Sequence, residues 1–134
     1  MTRMIDHMSL HVEDLETMQA FYEKACAPLG IGHLRTITKE MTGKFDMIGF
    51  GGDKPFLWLI GTEKSRPPMH IALAAHNHAE VDAFHAAAIA AGGRDNGAPG
   101  IRAHYHPNYY GAFVIDPEGH NLEAVCHAPE NSHG

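Results

Sequence analysis

Cys26 and Cys126 are the only cysteines in 134 residues. Two are too few for a disulfide framework, and a reduced, cytoplasmic setting is expected. Positive charge is also scarce. Ten Lys and Arg against sixteen Asp and Glu give a formal charge of −6, and no basic stripe runs along the chain, so nucleic acid is not expected as a partner. No apolar run is long enough to span a bilayer, and no charged-then-apolar leader is present, so no membrane association is expected. The length fits one compact domain, residues 1–134. Such a chain can bury roughly two-thirds of its unfolded surface and needs no disulfide to hold a core.

Histidine, by contrast, is abundant, with twelve residues. Most are expected to be exposed or satisfied by backbone groups, the tail pair His127 and His133 among them. A functional reading applies to histidines on strands that converge. Two stand at equivalent points of an internal repeat. From His7 the chain reads HMSLHVEDLETMQAFY, and from His70 it reads HIALAAHNHAEVDAFH. At one offset His7 matches His70, Leu10 matches Leu73, Ala20 matches Ala83, Phe21 matches Phe84, Gly30 matches Gly93 and Asp53 matches Asp116.

Each half reads as βαβββ. In 5–12 the alternation puts Met8, Leu10 and Val12 on one face and His7, Ser9 and His11 on the other. Asp14 is the expected N-cap of a helix with an apolar stripe of Leu15, Met18, Phe21, Tyr22 and Ala25, ended by Pro28 and Gly30. Strands follow at 32–39, 45–51 and 56–61, with a hairpin turn at 51–54. Module one thus covers about 5–62, and a linker about 63–68, where Ser65-Arg66-Pro67-Pro68 is the marker. Module two covers about 69–128, followed by a short C-terminal tail. It repeats the plan with a strand at 69–75, a helix at 78–91 whose apolar face is Val81, Phe84, Ala88 and Ile89, and strands near 100–106, 110–116 and 120–127. Asp116-Pro117-Glu118-Gly119 forms the last turn.

Glu123 interrupts the apolar last strand, where a charge is costly unless paired, protonated or bound to a metal. With His7 and His70 it makes two imidazoles and one carboxylate, a ligand set for Fe(II), Mn(II), Ni(II) or Zn(II) with open coordination positions. His104-Tyr105-His106-Pro107-Asn108-Tyr109-Tyr110 is the most site-like segment elsewhere. It supplies acid/base groups and aromatic walls, with His104 and His106 sharing a face if the segment is a strand. His11 shares a face with His7, but lies roughly 13 Å away along a strand. It suits a substrate pocket better than the same ion.

The opening DHMSLHVEDLETMQAFY, the second-module MHIAL and the closing FVIDPEGHNLE resemble the vicinal oxygen chelate superfamily, which comprises glyoxalase, bleomycin-resistance and dioxygenase proteins. The resemblance covers nearly the whole chain. It implies an α+β fold in which two βαβββ modules form an open, cupped mixed β-sheet barrel with helices outside, around a divalent metal held by His7, His70 and Glu123. In such a site His104, His106, Tyr109 and Tyr110 are the candidate catalytic groups, and His11, Ser9, Trp58 and Phe113 the candidate substrate pocket. A homodimer acting on a small oxygen-rich substrate is expected.

Two departures from the family pattern bear on the reaction. The fourth ligand of glyoxalase I-type members falls on Trp58 by apolar pattern or on Ile60 by the repeat offset, and neither binds metal. The tyrosine of the extradiol signature falls on Phe113. Lyase, isomerase or dioxygenase chemistry is expected, with a fosfomycin-type thiol transferase or a non-catalytic bleomycin-resistance-like binder as alternatives.

Overall fold

The computed structural model describes residues 5–63 and 66–129. Part of the proposed linker (64–65) and most of the tail, including His133, lie outside those residues.

The first repeat forms β1 (Met8–Val12), α1 (Leu15–Cys26), β2 (Gly32–Ile37), a one-turn α2 (Lys39–Thr42), β3 (Met47–Gly51) and β4 (Pro55–Gly61). The second forms β5 (His70–Ala74), α3 (His78–Ala90), β6 (Arg94–Ile101), β7 (Tyr110–Ile115) and β8 (Asn121–Cys126). Each repeat closes its own mixed four-stranded sheet, in the orders β1-β4-β3-β2 and β5-β8-β7-β6. The two sheets share no hydrogen-bonded edge, so no barrel is closed. β1 and β5 therefore occupy equivalent sheet edges.

The helices form where the sequence provides caps and stripes. Asp14 accepts from the Thr17 backbone N–H at 3.1 Å and from its hydroxyl at 2.8 Å, and these bonds hold its carboxyl below the usual aspartate range. Met18, Phe21, Tyr22 and Ala25 are buried as the stripe requires, with Leu15 partly buried against them. Asn77 caps α3 by accepting from Glu80 N–H at 2.8 Å. Along α3, Val81, Phe84 and Ala88 are buried, but Ile89 is 37% exposed. His78 takes the buried place instead, stacked 3.9 Å from the Tyr110 ring. Aromatic stacking lets a histidine substitute for an aliphatic residue there.

One strand is misplaced by the sequence reading. The expected 100–106 strand is β6 at 94–101, and residues beyond it turn back on themselves. β6 reads Arg-Asp-Asn-Gly-Ala-Pro-Gly-Ile, a composition with little strand propensity. It survives as an edge strand with register shifts at Asp95/Gly97 and Gly97/Gly100, where a proline and bulges are tolerated.

The buried apolar residues of both modules form one cluster. α1 packs on α3, and Gly93 permits the approach: a Cβ there would lie 2.4 Å from Val114 Cγ1 and 2.9 Å from the Phe21 ring. The β7–β8 turn also reaches back to module one. Glu118 accepts from Glu13 N–H at 2.9 and 3.0 Å and from Asp14 N–H at 2.7 Å, a carboxylate placed at the N-terminus of α1. Asp116, also in that turn, accepts from the buried Tyr22 hydroxyl at 2.7 Å. With one sheet face committed to the helices, the other is open: Ser9 and His11 of β1, with His7 just before it, are exposed, as are His70, Ala72 and Ala74 of β5.

Glu118→Ala is expected to cost about 1–2 kcal/mol, since charge-assisted bonds to two backbone donors are lost, and to lower Tm by several degrees. An unchanged Tm would show that the clamp contributes nothing. A second expectation concerns alkali. Burial, then the Asp82 carboxylate that accepts its proton at 2.6 Å, raises the Tyr110 phenol from 10.0 to about 12. A phenol with a raised folded-state pKa contributes stability that is fully present below about pH 10 and is lost as pH rises towards 12. Tm should therefore fall across that window, with a shallower slope in Tyr110→Phe; equal slopes would contradict this.

Candidate functional site

The chemistry-bearing groups lie on the open faces of the two sheets. In β8, Leu122 and Ala124 point into the core, so alternation sends Glu123 to the opposite face. Its carboxylate is nevertheless fully buried. Oε1 lies 2.7 Å from His70 Nε2, and Oε2 accepts from the Tyr109 hydroxyl. Phe113 lies directly opposite Glu123 in the β7–β8 register and 6.3 Å from the His70 ring. Gly111 leaves room for this arrangement, because a Cβ there would stand 3.1 Å from the Tyr109 ring and 3.3 Å from Glu123 Oε2. Burial and the Glu123 carboxylate push the Tyr109 phenol up to about 12, so it is a hydrogen-bond donor at neutral pH.

His70 is set by the strand that carries it. β5 pairs in parallel with β8, Ala72 opposite Glu123. Just before it, Met69 N–H donates to Nδ1 of the buried His120 at 2.9 Å. His120 gave no functional signal in the sequence; its role is to anchor the start of the strand that presents His70. The His70 side chain is 55% exposed, so the imidazole is the outward-facing member of the pair and the Glu123 carboxylate lies behind it.

Residues 102–109 form a compact loop at the border of this face. Arg102 N–H donates to Tyr109 carbonyl at 2.7 Å, and Tyr109 N–H to His106 carbonyl at 3.0 Å. His104 therefore does not share a strand face with His106. His104 lies against the Tyr105 ring at 4.1 Å and lines a cavity of about 290 Å³ with Asn96, Arg102, Tyr105, Phe113 and Asn121. His106 accepts from Asn108 N–H at 3.0 Å through Nδ1 and lies 5.8 Å from the His127 ring. Tyr110 points to the other side of β7, towards His78 and Asp82 of α3. Of the four candidate catalytic groups, only Tyr109 touches Glu123. Arg102, Asn96 and Asn121 were not singled out from the sequence, since nothing local marks a lone arginine after a glycine-rich strand.

On the first sheet, His7 is 56% exposed at its side chain and bonded to Asp6 at 2.8 Å. It lines a cavity of about 430 Å³ with Ser9, Arg35, Met47, Lys54 and Trp58, among others. His11 instead faces the Thr62 hydroxyl, 2.9 Å away. Register resolves which residue corresponds to Glu123. Ser9 pairs with Trp58 as Ala72 pairs with Glu123, so Trp58 is the topological counterpart of Glu123, and Ile60 is not. Gly49 seats its indole: a Cβ there would lie 2.9 Å from the ring.

The single chain thus joins His70, Glu123, Tyr109 and Phe113 on one sheet, and His7, Ser9 and Trp58 on the other. Among the described residues no three His, Cys, Asp or Glu side chains gather as a metal-capable group.

Comparisons with known proteins agree with this architecture. No curated protein matches the chain. Among solved structures, a glyoxalase/bleomycin resistance protein from Albidiferax ferrireducens T118 superposes with a TM-score of 0.73 at 25% identity, over 92% of this chain and 98% of that one. The fosfomycin resistance protein FosX from Listeria monocytogenes, solved with Mn(II) and sulfate, gives 0.66 at 16% identity, over 94% and 93%. An E144Q glyoxalase I mutant from Zea mays gives 0.68 at 23%, over 90% of this chain and 46% of that one. The family model of the Glyoxalase/Bleomycin resistance protein/Dioxygenase superfamily matches residues 4–124, and with the paired βαβββ sheets this places the chain in that superfamily.

Proposed function

We propose that the chain is a divalent-metal enzyme whose site is completed between two copies: His70 and Glu123 of one chain with the partner's His7. The observation that carries this reading is the fully buried Glu123 carboxylate, 2.7 Å from an outward-opening imidazole. A buried anion is costly unless paired. The pair sets an imidazole nitrogen directly beside a carboxylate oxygen, a donor set that fits Fe(II), Mn(II), Ni(II) or Zn(II). His7 and His70 occupy equivalent positions at equivalent sheet edges. A two-fold axis that brings β1 of one copy to β5 of the other therefore forms two identical sites. That FosX was solved with Mn(II) supports the choice of metals to test.

When bound, such an ion polarises substrate oxygens as a Lewis acid. The chain's own groups do the rest. Tyr109 donates a hydrogen bond to Glu123 and holds its carboxylate, and Phe113 forms an apolar wall beside His70. Ser9 and Trp58 line the cavity next to His7. With Trp58 in the counterpart position of Glu123, a second carboxylate for proton transfer is missing from that strand. This favours a three-ligand site acting on a small, oxygen-rich molecule by lyase, isomerase or oxygenase chemistry.

Metal-stripped protein titrated with each of the four ions, Fe(II) without oxygen, is expected to show a saturable rise in Tm. Ligand at 100 times its Kd adds about 2.7 kcal/mol. Glu123→Gln should abolish the shift; equal shifts in both proteins would point to scattered histidines and return the chain to the drug-binder class. Assembly across copies has its own test. His7→Ala and Glu123→Gln proteins, each metal-free alone, should together regain roughly a quarter of the parent's bound metal after subunit exchange, because each mixed dimer rebuilds one site of two. No recovery, with exchange verified, would place all ligands in one chain.

A further inference from the structure

Arg102 stands at the edge of the Glu123 face with half of its guanidinium committed. Nη1 donates to the carbonyls of Gly100 at 2.8 Å and Gly111 at 3.0 Å. Among the described residues no hydrogen bond engages Nη2 or Nε, and the Asp95 carboxylate feels the guanidinium charge without forming an ion pair with it. The seat is built by missing side chains: a Cβ on Gly97 would lie 2.9 Å from Nη2, and one on Gly100 would lie 3.3 Å from Nη1. The guanidinium carbon sits 5.4 Å from the Phe113 ring centroid, a cation–π contact that fixes the plane. A half-buried arginine tethered on one edge, with free donors on the other, is pre-organised for a planar or tetrahedral oxyanion.

The surroundings complete the site. The cavity beside Arg102 is lined by Asn96, His104, Tyr105, Phe113 and Asn121. Asn96 donates to Asn121 Oδ1 at 3.3 Å, which occupies that oxygen and leaves the Asn121 amide N–H groups to donate. No carboxylate lines this cavity, although the chain as a whole is acidic. Arg102 also adjoins the candidate metal pair, since Gly111 borders both Arg102 Nη1 and Glu123 Oε2 and Phe113 faces Glu123 across the β-ladder.

We propose that Arg102 and Asn121 form an oxyanion subsite, so that the substrate carries a carboxylate or phosphonate-type group beside the oxygens presented to His70 and Glu123. This rests on the metal-site reading for the identity of the reacting end; the subsite itself exists in the chain without metal.

Its test uses metal-free protein at low ionic strength, with methylphosphonate and acetate as separate probes followed by calorimetry. Saturable binding of at least one probe is expected; tighter binding of methylphosphonate assigns the tetrahedral class, and tighter binding of acetate the carboxylate class. Arg102→Met should weaken it about tenfold or more, the loss of a charge-assisted pair. Arg102→Lys, which keeps charge without the fork, should fall between. Asn121→Asp leaves the arginine seat intact and should weaken binding by repulsion, so the test survives if Arg102→Met folds poorly. Affinity unchanged in Arg102→Met and Asn121→Asp, or no saturation in the parent, overturns the subsite. A parallel Mn(II) titration separates the two readings. Arg102-dependent anion binding without Mn(II) binding defeats only the metal site, and Mn(II) binding without Arg102-dependent anion binding defeats only the subsite.

Discussion

A carboxylate withdrawn from water in the middle of a strand is the constraint around which the second module is arranged. Isolated, such a charge costs several kcal/mol even after relaxation. Glu123 is compensated from two sides, by the His70 imidazole on the neighbouring parallel strand and by the Tyr109 hydroxyl from the loop before β7. Each partner imposes its own requirement. His70 needs the β5–β8 register that sets Ala72 opposite Glu123, and His120 secures the residue before it. Tyr109 needs the 102–109 loop to fold back over the sheet, and the space left by Gly111. Arg102 then helps hold that loop by bonding to carbonyls on both of its sides.

The first module repeats the scaffold with different side chains. His7 stands where His70 stands, but Trp58 replaces Glu123 in the ladder, and a large indole seated over Gly49 fills the space a carboxylate would occupy. Duplication thus provides two similar sheets of unequal chemistry. The modules are joined through their backs. α1 and α3 share one core, and the β7–β8 turn clamps α1 through Glu118 and Asp116. Joining the modules there leaves both open faces and the β1 and β5 edges available, the arrangement that a site shared between copies requires.

Legibility in the sequence followed the range of the interactions involved. The two βαβββ units, the Asp14 cap, the α1 stripe and the alternation of β1 and β5 were readable because they depend on neighbours a few residues apart. β6 was misplaced because its composition argues for a loop, and pairing with β7 overrides that preference. For the same reason His104 and His106, assigned to one strand face, lie in a turn and point to different neighbours. Tyr109 and Tyr110, adjacent and alike in sequence, are separated by the strand itself: one meets Glu123, the other the α3 residues His78 and Asp82.

The sequence alone determined the repeat, the family and the residue types able to hold a metal, since a duplicated pattern and an acid inside an apolar strand are visible without coordinates. Tertiary structure decided which of those residues meet. It paired Glu123 with His70 and Tyr109, chose Trp58 over Ile60 as the counterpart of Glu123, and brought Arg102 to the same face with its donors half committed. These outcomes depend on strand register and on space left by distant glycines. Contacts of that kind between residues far apart in the chain are set by how whole sheets and loops pack, and no local pattern encodes them.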